Sequence, residues 1–521
     1  MARDRFLKGA TLLAGATIVS KLIGALYRIP LTNILGAEGI GLYQLIFPLY
    51  ALVLTLSSGA VPNAVAIVVS GAYSSNIESA KKRMSISLRV ITIIGIGFAV
   101  LMACLAYPLS LLQRNEEAVF GYLAIAPAVA VVSAVSVYRG YFQGKKNMRP
   151  TSISNIVEGV VKLVVGLLAA WLLKPLGTLY SVIGALVGVT VSEIVTLIVL
   201  GVIFKKTEGK LPRLKDSGDY KDGLKAVLRV SVPMAICGVI ANLTQFIDSV
   251  AVVPFLEYVG KSASEATKEY GLFSGPVSSL ISLPVVVGIC LSVAIIPSVS
   301  TDKNNLDIDG IKGKTSSAVK LALSIGLPFA AFFAVAAEGI ISCLYPTFSA
   351  EEVGVTATLL RITSVSCLAL LLGQILVAVM QALGYIKIPI RNYAIGAVAK
   401  VALDFSLMPY IGVYGVAVAS AVNAVLTLVL NAVSYIRLTG RPTLSIKVVA
   451  AIVLSTSIIS AVGVVLVEFS LPAVGAIVSG AVGVALYIVL VATFGVFSDE
   501  ELSGLPLGKG IKELFNIICG T

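Results

Sequence analysis

Residues 90–108 read VITIIGIGFAVLMACLAYP and contain no charged side chain. A helix of about 20 mostly apolar residues, rising about 1.5 Å per residue, crosses the hydrocarbon core of a bilayer. Comparable runs recur on both sides of this one, and they predict spans near 9–29, 42–70, 86–108, 118–138, 153–173, 179–204, 230–255, 272–298, 316–343, 357–382, 391–409, 413–436, 445–467 and 473–497. These fourteen segments indicate an all-α polytopic membrane protein.

The composition of the chain agrees with this class and excludes others. Of its 521 residues, 57% are hydrophobic and 13% are charged, whereas about 25% of the residues of a soluble domain are charged. A water-soluble protein of this length would need far more polar surface. The high apolar fraction also excludes a disordered chain, because such a chain buries too little apolar surface to fold.

The cysteines and the lack of histidine limit the chemistry of the chain. None of its six cysteines forms a CxxC spacing, which argues against a zinc site or a disulfide framework. The chain has no histidine, so histidine-based acid–base catalysis and Ser-His-Asp triads are excluded. We therefore expect a transporter without a cofactor rather than an enzyme.

The distribution of basic residues predicts the orientation in the membrane. When both termini and every second loop are placed in the cytoplasm, 30 of the 39 Lys and Arg residues lie on that side and six lie on the other. Such a bias orients both termini toward the cytoplasm. The net charge of +12 then reflects topology and attraction to anionic lipid. Because no basic stripe is interleaved with aromatic residues, nucleic-acid binding is not expected.

Two halves of the chain repeat a pattern. Gly41–Tyr43 opens the second span and Gly271–Phe273 opens the eighth, at an offset of 230. Lys162 and Lys400 follow at an offset of 238, each 19 residues after a glutamine. Six spans per copy is an even number, so the two copies have the same orientation. We expect two parallel six-helix lobes around a central cavity, with two helices appended.

The repeat also predicts the domain boundaries. They give an N-terminal lobe over 1–204, a cytoplasmic linker loop over 205–229, a C-terminal lobe over 230–436, a helix pair over 437–497 and a cytoplasmic tail over 498–521. A cavity between two such lobes is suited to alternating access by rocking.

Charged side chains within the spans are the candidates for function, because each costs about 2.5–3.5 kcal/mol on insertion scales. They are Lys21 and Arg28 in the first span, Glu158 and Lys162 in the fifth, Glu193 in the sixth, Asp248 in the seventh, and Lys400 and Asp404 in the eleventh. The Glu158–Lys162 pair and its repeat equivalent on the eleventh span are each spaced four residues apart, so each shares one helical face. Two interpretations stay open: ion pairs that merely let a span insert, or pairs that face the cavity.

Asp248 has no charged partner close to it in the sequence. For Asp248, Lys400 is the natural partner on another span. Lys21 and Arg28 are seven residues apart and share one face of the first span. An arginine fork matches phosphate oxygens and a lysine adds a point charge, so a cavity carrying both suits a diphosphate-like headgroup. For Arg28 the alternative is a side chain that snorkels to the outer interface.

Several motifs resemble those of a known family. They are SKLIG at 20–24, YRIP at 27–30 and LGAEGIGLYQ at 35–44, followed by RGYFQG at 139–144 and MRPT at 148–151. Over nearly its whole length the chain is similar to the stage V sporulation protein B-like polysaccharide flippases. These belong to the multidrug/oligosaccharidyl-lipid/polysaccharide (MOP) exporter superfamily, which includes the MurJ-type lipid II flippases. The resemblance implies a flippase of the bacterial cytoplasmic membrane that moves an undecaprenyl-diphosphate-linked cell-wall precursor, lipid II or a related oligosaccharide, to the outer leaflet.

The resemblance also implies roles for particular residues. Together with the cavity-facing interpretation, it gives a substrate-binding set of Lys21, Arg28, Glu38, Glu158 and Lys162. Some relatives hold a sodium ion between an acid on span 7 and an Asn/Asp pair on span 11. Asp248 and Asp404 match the acids, whereas Lys400 stands where the amide would be. These three residues are the predicted coupling set, and coupling to sodium, to protons or to the membrane potential alone stays open.

Two other functions stay open as alternatives. A cation-coupled multidrug extruder of the same superfamily would usually have twelve spans and a less cationic cavity. A membrane-embedded polyprenyl glycosyltransferase would need an active-site constellation in an extramembrane loop, and the longest predicted loop, 205–229, shows none. We expect a monomer whose partners are the bilayer and a lipid-linked oligosaccharide.

Overall fold

The structure is a computed structural model that describes residues 2–73, 77–209, 239, 242–441, 443, 445–468 and 471–497. Every regular element in these ranges is helical. The helices are α1 (Ala2–Leu54), α2 (Val61–Tyr73), α3 (Ile77–Leu112), α4 (Ala118–Gly144), α5 (Arg149–Leu173), α6 (Thr178–Glu208), α7 (242–258), α8 (Ala263–Leu272), α9 (Ser278–Asn304), α10 (Ile308–Val335), α11 (Ala337–Leu344), α12 (Ala350–Ala382), α13 (Lys387–Ile411), α14 (Val413–Thr439), α15 (Ile446–Glu468) and α16 (Pro472–Thr493). The predicted all-α class is confirmed.

The number of membrane helices also agrees with the prediction. In the described part of the chain, twelve helical segments are long and apolar enough to cross a membrane. The first of them, Leu22–Gly71, contains the end of the first predicted span, 9–29, and the whole of the second, 42–70. The helix at 242–258 is the described part of the predicted seventh span. These segments together account for the fourteen predicted spans and make the chain a multi-pass membrane protein.

The first two spans meet at a kink within α1. The kink falls inside the stretch 30–41 where a break was expected, at Gly36, whose φ of 72° and ψ of −178° are not helical. Glycine adopts this conformation without a steric penalty from a Cβ atom. A π-helical turn at Thr55–Gly59 then leads into α2.

Several helices are longer than the predicted spans. α3 begins at Ile77 rather than at 86, and α4 ends at Gly144 rather than at 138. The added turns of α3 carry Lys81, Lys82 and Arg83, which are favourable in the headgroup region. An apolar run therefore marks the part of a helix that crosses hydrocarbon, while the helix itself continues beyond it.

The chain forms two compact units. The first contains Met1–Pro276 with Asp404–Val413, and the second contains Val277–Leu403 with Tyr414–Thr521. In the first unit α5 and α6 pack against each other so closely that Gly188 lies on the backbone of Gly166. Lipid tails are as apolar as these helices, so close packing of small residues and polar bonds hold the helices together.

The second unit is organised around α9, α10 and α12. Its core includes Ile295, Val299 and Ile375. α13 and α14 are joined by a buried polar bond in which the Asn392 amide donates to Asn431 Oδ1 at 2.9 Å. The predicted domain boundaries stay predictions, and residues 210–229 of the linker loop and the tail at 498–521 lie outside the described residues.

Candidate functional site

α5 carries one of the charged pairs identified in the sequence. Lys162 Nζ lies 3.3 Å from Glu158 Oε1, one turn away on the same helix. The side chains of Lys162 and Glu158 are 25% and 21% exposed. The four-residue spacing therefore produces an ion pair, and both side chains are partly buried.

Arg139 of α4 is a third member of this site. It donates from Nη2 to Glu158 Oε2 at 2.9 Å and from Nε to Ser154 Oγ at 3.0 Å. Each oxygen of Glu158 thus faces one cation. The sequence reading counted Arg139 among the cytoplasmic cations, because the predicted span ends at 138. Glu158 itself could have indicated such a partner, because a charge inside a span requires a partner on a neighbouring helix.

Glu193 of α6 adds a second carboxyl group. The residue is 4% exposed, and its carboxyl lies within hydrogen-bonding reach of the Glu158 carboxyl. Among the residues that the structure describes, no donor reaches Glu193 Oε2. The sequence identified Glu193 as a charge within a span but assigned it no role. Arg139, Glu158, Lys162 and Glu193 are called the charged cluster below.

α1 lies along the side of α5 that carries the charged cluster. Ser20 packs near Gly159, the residue after Glu158, and Tyr27 packs on Gly166. Lys21 follows Ser20 in α1, but its side chain lies outside the described part of the structure. α1, the helix with the predicted cations Lys21 and Arg28, therefore lies beside α5, the helix with the Glu158–Lys162 pair.

Two tyrosines of α1, Tyr43 and Tyr50, are buried in the core of the first unit. Arg28 of the same helix is partly buried. Because α1 packs against α5, two adjacent helices of the first unit carry cations.

Glu38 lies where α1 meets α8. Its Oε1 accepts a hydrogen bond from Ser264 Oγ at 2.9 Å, in the first turn of a helix that begins with a capping box of Ser262 and Glu265. An acid at a helix N-terminus is favoured by the helix dipole. A contact with the substrate, predicted for Glu38 by resemblance, stays a prediction.

The α1–α8 crossing is a backbone contact. A Cβ atom at Gly41 would overlap the carbonyl of Thr267, and one at Gly271 would overlap the backbone of Gly41. The crossing therefore has room only for glycine at both positions. The predicted repeat makes these two positions equivalent.

The three predicted coupling residues are buried. Asp248 of α7 is 8% exposed, and Lys400 and Asp404 of α13 are each 4% exposed. Asp248 and Asp404 belong to the first unit and Lys400 to the second. The pairing of Lys400 with Asp248 and the coupling role of the three residues stay predictions.

Whether these residues hold a sodium ion stays a prediction. A hard cation needs several oxygen ligands around one point, and the helix face of Asp404 also carries the ammonium group of Lys400, one turn away. Coupling to sodium, to protons or to the membrane potential alone therefore stays open.

The fold and the charged cluster define a helical membrane transporter, a bundle of spanning helices with ion pairs inside it. The chain belongs to the family of polysaccharide biosynthesis proteins, whose family model matches residues 6–301.

Named relatives and solved structures resemble nearly the whole chain. It is 28% identical over 520 residues to stage V sporulation protein B of Bacillus subtilis (strain 168), covering 97% of this chain and 99% of the relative. It is 22% identical over 512 residues to the lipid II flippase MurJ of the same organism, covering 94% of each. These names confirm the predicted family resemblance and the prediction that the chain is not an enzyme.

Two solved structures confirm the fold. An inward-facing multidrug resistance MATE family transporter of the MOP superfamily matches with a TM-score of 0.70 at 15% identity, covering 85% of this chain and 99% of that one. Lipid II flippase MurJ in an inward closed conformation matches with a TM-score of 0.67 at 17% identity, covering 93% of this chain and 99% of that one.

Proposed function

We propose that this protein flips an undecaprenyl-diphosphate-linked oligosaccharide, lipid II or a related cell-wall precursor, from the inner to the outer leaflet of the bacterial cytoplasmic membrane. Its family and the names of its full-length relatives support a flippase of lipid-linked precursors. The positive-inside bias of its loops supports an orientation with both termini in the cytoplasm.

The observation that carries the proposal is that α1 and α5, which pack against each other in the first unit, carry Arg28 and Lys162. The two cations come from different helices, and neither is fully buried. Guanidinium and ammonium groups are the natural ligands of phosphate oxygens. Lys21, on the same helix face as Arg28, would add a third cation.

The chemistry of the substrate also supplies a driving force. A diphosphate diester carries negative charge, and the cell interior is negative. Moving one charge through the potential is worth about 2.3 kcal/mol per 100 mV. Outward movement of the headgroup is therefore favoured by the membrane potential alone, without a bound metal ion.

The multidrug extruder is the competing function. This chain shares its fold with a multidrug transporter. The fold alone does not determine whether the substrate is a drug or a lipid. The cations of α1 and α5 favour an anionic ligand over the cationic drugs that an acid-lined cavity would take.

The test is an outer-leaflet accessibility assay in a bacterium depleted of its own lipid II flippase. This chain, expressed in that strain, should restore the labelling of lipid II by a membrane-impermeant reagent, and an empty vector is the control. A labelled wall-teichoic or capsular lipid precursor, assayed in parallel, tests the other substrate class. If neither precursor reaches the outer leaflet while a cationic dye is exported, the multidrug function replaces the proposed one.

A further inference from the structure

We propose that Glu193 and Glu158 hold one proton between them, and that this proton decides whether the charged cluster attracts an anionic headgroup. The proton site follows from the geometry of the cluster. Its link to a headgroup rests on the proposed function, and the two parts are tested separately.

Glu158 interacts with two cations and with a second carboxyl group. Both oxygens of Glu158 accept bonds from cations, Oε2 from Arg139 at 2.9 Å and Oε1 from Lys162 at 3.3 Å. Glu193 lies within hydrogen-bonding reach of the same carboxyl. An ionised carboxylate has no donor, so two carboxyls form a hydrogen bond when one of them carries a proton.

Of the two carboxyl groups, Glu193 is the one that carries the proton. Glu158 has two cationic partners and is stable as an anion. In the described part of the chain no donor reaches Glu193 Oε2, and the residue is 4% exposed. Burying a charge without a partner is costly. A proton on Glu193 removes that cost and provides the donor that the contact needs.

Ionisable groups from three helices face Glu193 in the part of the chain that the structure describes. α4 contributes Arg139, and α5 contributes Glu158 and Lys162. α1 contributes Tyr50, which lies near both carboxyls. Tyr43 is a further neighbour of Lys162. The tyrosines are neutral near pH 7, so the cluster's charge is set by two cations and two carboxyls.

The net charge of the cluster then depends on one proton. With Glu193 protonated, Arg139 and Lys162 outweigh Glu158 and the cluster carries a charge of about +1. Without the proton the charges cancel, and Glu193 competes with any other anion for Lys162. Proton binding and anion binding therefore favour each other, and by linkage each strengthens the other equally.

The first test examines the proton site without any substrate. Infrared titration of the purified protein in phosphatidylcholine nanodiscs should reveal the carbonyl stretch of a protonated carboxyl, and Glu193→Gln should remove it. The amide of Gln is neutral and can donate to Glu158, so the fold should survive. Glu117→Gln, at an exposed position before α4, is the matched control and should leave the band unchanged. A spectrum in which E193Q removes no such band overturns the proposal.

The second test uses the wild-type protein and needs no variant. The probe is a short-chain isoprenyl diphosphate N-acetylglucosamine, a diester whose charge is constant from about pH 5.5 to about pH 8.5. Its binding in weakly buffered solution should take up protons, and its affinity should fall fivefold or more toward high pH, within the ordinary range of coupling. E193Q should bind with an affinity that does not change with pH.

The outcomes separate the two proposals. Probe binding without proton uptake, or with the same pH dependence in E193Q as in wild type, overturns the link between proton and headgroup. No probe binding at any pH, together with a carboxyl band that E193Q removes, overturns the proposed lipid function and leaves the proton site supported.

Discussion

Gln44 donates a hydrogen bond from its side-chain amide to the carbonyl oxygen of Ser274, the residue 230 positions further along the chain. The same offset relates Gly41 to Gly271, whose backbones touch. When two copies of a bundle are related by an axis, equivalent residues meet where the axis passes between them. The bond therefore lies where the second span crosses its own repeat equivalent, the eighth.

A covalent bond at this crossing should prevent transport. Alternating access requires the two copies to separate at one end, and a Gln44→Cys/Ser274→Cys disulfide would hold these spans together. In a background with the six native cysteines replaced, oxidation should abolish complementation and a reductant should restore it. Each single cysteine variant is the control. Full activity in a completely cross-linked protein would contradict the idea that this crossing opens.

Gly271→Val should destabilise the protein. The added side chain would overlap the backbone of Gly41, and overpacking of this kind costs about 1–3 kcal/mol. The measurement is the free energy of unfolding in detergent. Gly97→Val is the matched control, since no atom lies within 4 Å of a Cβ at that position. Equal stability of the two variants would show that α1 and α8 are less closely packed than described.

Arg139→Ala should weaken the first unit by leaving Glu158 with one cation in place of two. We expect a loss of about 1–3 kcal/mol, because the side chains are only 17% and 21% exposed. Lys312→Ala is the control: its partner Asp309 is 94% exposed, and surface pairs contribute about 0–1 kcal/mol. Adding Glu158→Ala to the arginine variant should recover part of the loss, and strictly additive losses would refute the pairing.

Lys21→Ala and Arg28→Ala should each abolish complementation of a flippase-depleted strain while protein levels stay unchanged. Both remove a cation that the proposed function places against the diphosphate. Leu26→Ala, on the same helix and 58% exposed, should still complement and is the control. Normal growth of the Lys21/Arg28 double variant would exclude diphosphate binding by α1.

Exchange of the charges at Asp248 and Lys400 tests the predicted coupling pair. Asp248→Lys and Lys400→Asp should each reduce complementation strongly, because each places like charges in buried surroundings. The double variant should recover more activity than either single one. Losses that simply add would indicate that the two residues act with different partners.

The class of the fold was predictable because each spanning helix satisfies its own backbone. A run such as 90–108 has few stable alternatives in a bilayer, so the number of spans and the Glu158–Lys162 pair follow from spacing along one helix. The exact position of the kink between the first two spans was less predictable. The sequence indicates a break over the whole stretch 30–41, whereas in the structure one residue with a positive φ, Gly36, is sufficient to produce it.

The sequence by itself determined the membrane-spanning class and which charges lie within spans, because these properties depend on composition and on periodicity along one segment. The tertiary structure alone decided that Arg139 and Glu193 join Glu158. That result depends on how α4, α5 and α6 are rotated and at what depth they meet, and packing between helices sets both quantities. A change of about 100° in the rotation of one helix, a single residue step, would separate these groups without altering any pattern in the sequence.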